Sequence, residues 1–160
     1  MTDKLSPRIL IVEDEGLIAK QIEHALTGLG YQVTGAVPTG EAALQSVAQH
    51  PPDLVLMDIA LEAEMDGIEA AARIRDRRDV PIVYLTAYTE QTVIDAIKHT
   101  RPYGFLAKPV RRQQLGATVE MALYKHHMET RLRQSEQRHR LLFDHAGIGI
   151  GYYTPRGTLL

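Results

Sequence analysis

Two apolar runs that end in acid set the pattern of this chain. Arg8-Ile-Leu-Ile-Val12 is β-branched and stops at Glu13-Asp14-Glu15; Asp53-Leu-Val-Leu-Met-Asp58 follows Pro51-Pro52 and stops on a carboxylate. Continuous apolar runs of this length suit strands buried on both faces, although a piece of buried helix has the same signature. Between them the spacing turns helical. Leu17, Ile18, Ile22, Ala25, Leu26 and Leu29 share one face of a helix over 16–29, with Gly28 and Gly30 as stop signals. Tyr31-Gln-Val-Thr-Gly35 predicts a short strand, and Thr39 to Ala48 a helix capped by Thr39 and closed by His50-Pro51.

Beyond Asp58 the alternation continues. Asp66 to Arg75 is an Ala-rich helix with Asp66 as its cap, and Val80-Pro-Ile-Val-Tyr-Leu85 is a strand ending at Thr86. Thr89 to Lys98 carries Val93, Ile94 and Ile97 on one side of a further helix. Tyr103-Gly-Phe-Leu-Ala107 is a fifth strand, ending at Lys108-Pro109, and a long helix begins near Arg111. Strand and helix alternate five times, which predicts the α/β class: a doubly wound, five-stranded parallel sheet with helices on both faces.

Composition narrows the chemistry. The chain has 160 residues, 44% hydrophobic and 24% charged, a globular mixture. It has no cysteine, which excludes disulfides, thiolate catalysis and Cys-based zinc sites. The N-terminal residues lack the apolar core of a signal peptide, and no run approaches the ~18 apolar residues of a membrane span, so a cytoplasmic location is expected. Residues 1–110 hold 10 Lys+Arg against 16 Asp+Glu, while 111–160 hold 8 against 4. That shift argues for a boundary near 110 and against nucleic-acid binding by the acidic part.

Right-handed crossovers place the C-terminal ends of all parallel strands on one edge of the sheet. Glu13, Asp14, Asp58, Thr86 and Lys108 then collect there. Each alone could be a cap, a turn residue or a surface charge; their convergence is what points to chemistry. Two unit charges ~4 Å apart cost about 4 kcal/mol at an effective dielectric of ~20. Three carboxylates therefore call for a cation, and an all-oxygen donor set suits Mg²⁺. Carboxylates, Mg²⁺, a hydroxyl and a lysine are the parts of a phosphoryl-transfer site.

At these positions the chain resembles the receiver domain of two-component response regulators. The resemblance covers about 7–125 and rests on Ile-Val-Glu13-Asp14-Glu, Leu-Met-Asp58-Ile, Met-Asp66-Gly67-Ile, Leu-Thr86-Ala87 and Lys108-Pro109. It implies a flavodoxin-like sheet of order 2-1-3-4-5, with Asp58 as phospho-acceptor. Asp14, Asp58 and the Ala60 carbonyl would coordinate Mg²⁺, with Glu13 acting through water, and Thr86 and Lys108 would bind the phosphoryl oxygens. Phe105 matches the family's aromatic switch residue, and as a residue on a short strand it also suits a core aromatic. A histidine kinase or phosphotransfer protein would be the donor. Glu62 is a departure: many members carry a proline four residues after the acceptor, and here the loop to Gly67 is one residue longer.

From Arg111 to Phe143 there is no proline and only Gly116 as glycine. A seven-residue register puts Met121, Met128, Ser135 and Leu142 on one line and Thr118, Lys125, Leu132 and His139 on the other, a weak coiled-coil seam. A parallel homodimer through this helix is one expectation and a solvated linker helix the other, whereas Leu115, Val119, Ala122 and Leu123 suit packing on the sheet. Gln134 to Ile150 looks like the entry to a PAS sensor domain. The expected organisation is a receiver over 1–125, a signalling helix over 126–143 and a truncated PAS start over 144–160. The function expected is a phospho-accepting switch rather than an enzyme. The alternatives are a phosphatase-type hydrolase using Asp58 as covalent nucleophile, which would usually carry a second Asp where Ala60 stands, and a phosphorylation-independent interaction module.

Overall fold

Three strands in the middle of the sheet carry continuous apolar runs, Ile9–Val12, Leu54–Met57 and Ile82–Leu85, because helices cover both of their faces. The computed structural model describes residues 5–87, Asp95, Lys98 and 101–145. The elements are β1 (Arg8–Val12), α1 (Gly16–Gly28), β2 (Gln32–Val37), α2 (Gly40–Gln49), β3 (Leu54–Asp58), α3 (Gly67–Arg77), β4 (Ile82–Thr86), β5 (Gly104–Ala107) and α4 (Arg112–His145). Apart from Asp95 and Lys98, the helix expected over 89–98 lies outside the described residues, as does most of the expected PAS start over 144–160.

The sheet order is β2-β1-β3-β4-β5, with every pairing parallel. Successive strand residues point to opposite faces. Leu10, Val12, Val55, Met57, Ile82 and Tyr84 therefore pack with α2 and α3, whereas Ile9, Ile11, Leu54, Leu56, Val83 and Leu85 pack with α1 and the first turns of α4. The edge strands β2 and β5 are only partly buried, which matches their mixed composition. β2 runs past the expected Gly35 to Val37 because it pairs with β1 as far as Val12, after a register shift between Ile9 and Leu10.

Side chains close the helix ends. The Thr39 hydroxyl accepts the Ala42 N–H at 3.1 Å and the Asp66 carboxylate accepts the Glu69 N–H at 2.8 Å, as expected of N-caps. At the other end of α1, Arg112 donates to the Gly28 carbonyl at 2.9 Å, placing a cation where the helix dipole is negative. Leu115, Val119 and Ala122 of α4 are buried in the core, as their spacing suggested. Further along α4, His126 Nε2 lies 3.3 Å from Asp79 Oδ1, and the imidazole meets the Tyr103 ring edge-on at 5.6 Å.

The chain divides into two compact units between His126 and His127, and α4 contributes to both. In the second unit the described part is helix, with Met128, Leu132, Leu141, Leu142 and Phe143 exposed. No helix among the described residues is long and apolar enough to cross a membrane.

Gly67 opens α3 against the strand it follows. Its N–H donates to the Ile59 carbonyl at 3.1 Å, and a Cβ there would run into the Asp58 carbonyl oxygen. A Cβ at Gly16, at the start of α1, meets nothing within 4 Å. Gly67→Ala is therefore expected to cost about 1–3 kcal/mol in denaturant unfolding, as overpacking does. Gly16→Ala is expected to be neutral or stabilising by up to ~1 kcal/mol.

Candidate functional site

The register of the sheet assembles the site. Val12 pairs with Met57, so Glu13 and Asp58 are the next residues on adjacent strands. Asp58 pairs with Leu85 and Thr86 with Ala107, which sets Lys108 one step beyond, its N–H donating to the Thr86 carbonyl at 2.8 Å. Glu13, Asp58 and Thr86 thus end or follow runs of buried strand residues that fix their backbone, while Lys108 follows the partly exposed β5. The Lys108–Pro109 peptide bond is cis.

Lys108 is the centre of the arrangement. Its ammonium donates to Asp58 Oδ2 at 3.0 Å and forms an ion pair with Glu13 Oε2 at 2.6 Å. Glu13 Oε2 is buried against this ammonium. Main-chain donors hold the other oxygens: Glu15 N–H on Glu13 Oε1 at 3.0 Å, Ala60 N–H on Asp58 Oδ1 at 3.1 Å, and Glu62 N–H on Asp14 Oδ2 at 2.9 Å. One oxygen from each of Glu13, Asp14 and Asp58 lies within 4.8 Å of the others.

The residues fit a hard divalent cation. The donors are all carboxylate oxygens, one from each residue within 4.8 Å of the others, and two of the three groups are buried. One ammonium faces three carboxyl groups, which leaves a surplus of negative charge. Burial pushes the Glu13 carboxyl up to about 7, against the pull of Lys108 and the Glu15 N–H and helped by the charge of Asp58. Burial acts to raise Asp14 too, but the Glu62 N–H and a hydrogen bond with Glu13 hold it below its ordinary value. Burial would lower Lys108, yet its bonds to Glu13 and Asp58 raise it.

The other expected residues fall around this group. Thr86 ends β4, half-buried, one residue past the partner of Asp58. Ala60 reaches Asp58 through its N–H. Phe105 is 42% exposed rather than a core aromatic, because β5 is an edge strand; its ring stacks on the buried Tyr84 at 6.2 Å. Sequence reasoning missed the Glu62 N–H, which no side-chain pattern encodes, and the direct ion pair of Glu13 with Lys108. The one available signal at Glu62 was its departure from proline.

Residues 9–120 match the response regulator receiver domain family. The transcriptional regulatory protein PdtaR of Mycobacterium tuberculosis is 34% identical over 116 residues, covering 72% of this chain and 56% of that protein. The phyllosphere-induced regulator PhyR of Methylorubrum extorquens is 31% identical over 121 residues, covering 75% of this chain and 45% of PhyR. The chain thus spans about half the length of these relatives. Among solved structures, the signal receiver domain of a modulated diguanylate cyclase from Desulfovibrio desulfuricans G20 superposes with a TM-score of 0.73 at 37% identity, over 78% of this chain and 98% of that one. The N-terminal domain of a response regulator/sensory box/GGDEF 3-domain protein from Carboxydothermus hydrogenoformans gives 0.71 at 41%, over 77% and 98%.

The Glu13 value carries a pH dependence. Its carboxyl binds a proton more tightly in the folded chain, at about 7, than at its ordinary value of 4.5. The stability it contributes is fully present below 4.5 and lost as pH rises through 7. Denaturant unfolding in chelator-treated buffer should show that loss, on the order of a few kcal/mol at ~1.4 kcal/mol per pH unit. Glu13→Gln should flatten the slope; an unchanged slope would assign it to another group.

Proposed function

The chain belongs to the response regulator receiver domain family, and on that premise we propose that Asp58 is its phospho-acceptor in a Mg²⁺-dependent reaction. The observation that carries the reading is the Lys108 ammonium shared between Asp58 and Glu13, beside Asp14, at the C-terminal edge of the sheet. The donor is the phosphohistidine of a histidine kinase or phosphotransfer protein. A receiver of this kind is a phospho-acceptor rather than a classical enzyme.

The Asp58 carboxylate attacks phosphorus in line, a P–O bond forms, and the P–N bond to the donor imidazole breaks. Glu13, Asp14, Asp58 and the Ala60 carbonyl would hold a Mg²⁺, Glu13 through water, and the ion would supply neutralising charge for the phosphoryl oxygens. Lys108 exchanges its hydrogen bond to Asp58 for one to a phosphoryl oxygen, and the Thr86 hydroxyl donates to another. Phe105, stacked on Tyr84 at an exposed edge, follows Thr86 inward, so a local charge event alters the face around β5.

The signal passes along α4. Exposed Met128, Leu132 and Leu142 support pairing with a second copy, and the segment 134–150 supports a PAS module as the next element. The Carboxydothermus protein, in which a sensory box accompanies the response regulator, is in keeping with that order. The cytoplasm is the proposed location. The hydrolase reading is disfavoured, since Ala60 offers no general acid where such enzymes carry an Asp.

Incubation with Mg²⁺ and a small acyl phosphate is expected to add one phosphoryl group, read by intact-protein mass spectrometry. Asp58→Asn should take up none. Equal incorporation by that variant would move the acceptor elsewhere.

A further inference from the structure

Glu62 stands where many receivers have a proline, and the structure uses what a proline lacks. Its main-chain N–H donates to Asp14 Oδ2 at 2.9 Å, across a separation of 48 residues. Glu13 and Asp58 are both held by Lys108, whereas Asp14 is held by Glu13 and by this N–H from the loop that follows β3. Asp14 is also the least buried of the three carboxylates. Without that N–H, a partly exposed carboxylate next to two others turns more readily toward water, since like charges repel and water solvates it outside the cluster.

We propose that Glu62 is a positioning residue for the divalent-cation site, its main-chain N–H keeping Asp14 within reach of Glu13 and Asp58 before the ion arrives. The inference rests on the reading of this trio as a cation site. Outer groups that orient a ligand contribute to affinity by sparing the ordering that binding would otherwise require. The bond also joins the loop after β3 to the loop after β1. Cation affinity is thereby tied to the conformation of residues 59–66, the segment that departs from the family pattern.

The substitution that tests this is Glu62→Pro, which removes the N–H, set against Glu62→Ala, which removes the side chain and keeps it. By isothermal titration calorimetry with Mg²⁺ on the whole chain, Glu62→Ala should bind within about twofold of wild type and Glu62→Pro about tenfold more weakly. Saturating Mg²⁺ should restore phosphorylation of Glu62→Pro by the acyl phosphate, since the loss lies in affinity. Amide hydrogen exchange gives a second readout independent of the proline: the Glu62 N–H should be protected in the metal-free wild type and exchange faster in Asp14→Ala. Wild-type affinity in Glu62→Pro, equal weakening in Glu62→Ala, or Glu62 exchange unaffected by Asp14→Ala would each overturn the inference alone. Failure of the wild type to bind Mg²⁺ would overturn the cation reading and this inference with it.

Discussion

A single ammonium group, Lys108 Nζ, sits 2.6 Å from Glu13 and 3.0 Å from Asp58, and the acidic edge of the sheet depends on it. Two buried carboxyl groups on adjacent strands would otherwise face each other with no counter-charge. At ~3 Å and an effective dielectric of ~20 each contact is worth about 5 kcal/mol of attraction, from which desolvation of all three groups must be subtracted. The net gain is small, but losing one partner from such a group leaves a buried charge unpaired, which costs far more than the pair contributes. The site is therefore held near a balance, and the raised Glu13 value reflects burial first, which Lys108 and the Glu15 N–H do not fully offset, with the charge of Asp58 adding to it.

The backbone makes this arrangement unavoidable once the sheet forms. Parallel pairing in the order β2-β1-β3-β4-β5 brings the ends of β1, β3, β4 and β5 to one edge in adjacent registers. Both core layers grip the middle strands, so the residues just beyond them have little freedom. Gly67 completes the frame by letting α3 start against the Asp58 carbonyl. Fold stability and site geometry are thus one property at this edge.

Most of this was legible in the residues, for reasons that differ by element. Strands buried on both faces must be apolar throughout, so Ile9–Val12 and Leu54–Met57 announced themselves. Thr39 and Asp66 announced their helices because a capping side chain has a specific orphan N–H to satisfy. The family resemblance then suggested a chemical role for Asp58, and the register set Glu13, Asp14, Thr86 and Lys108 at the same sheet edge. Edge strands were harder to delimit: β2 has weak apolar character, and its length is set by pairing with β1. The exposure of Phe105 was ambiguous because an aromatic on an edge strand satisfies either environment. The Glu62–Asp14 bond was invisible, since its donor is a main-chain group that every residue but proline carries.

Glu13, Asp14 and Asp58 carry more negative charge than the Lys108 ammonium offsets, which is the ground for proposing a divalent cation there. Anything that binds only the folded chain stabilises it in proportion to the logarithm of its concentration above its dissociation constant. Thermal unfolding of the wild-type chain at pH 8, where Glu13 is charged, measures this directly when Mg²⁺ is titrated against NaCl of matched ionic strength. A midpoint that climbs with Mg²⁺ and stays level in NaCl is the predicted result. A midpoint that ignores Mg²⁺, or rises equally in NaCl, would rule out a divalent-cation site at this edge.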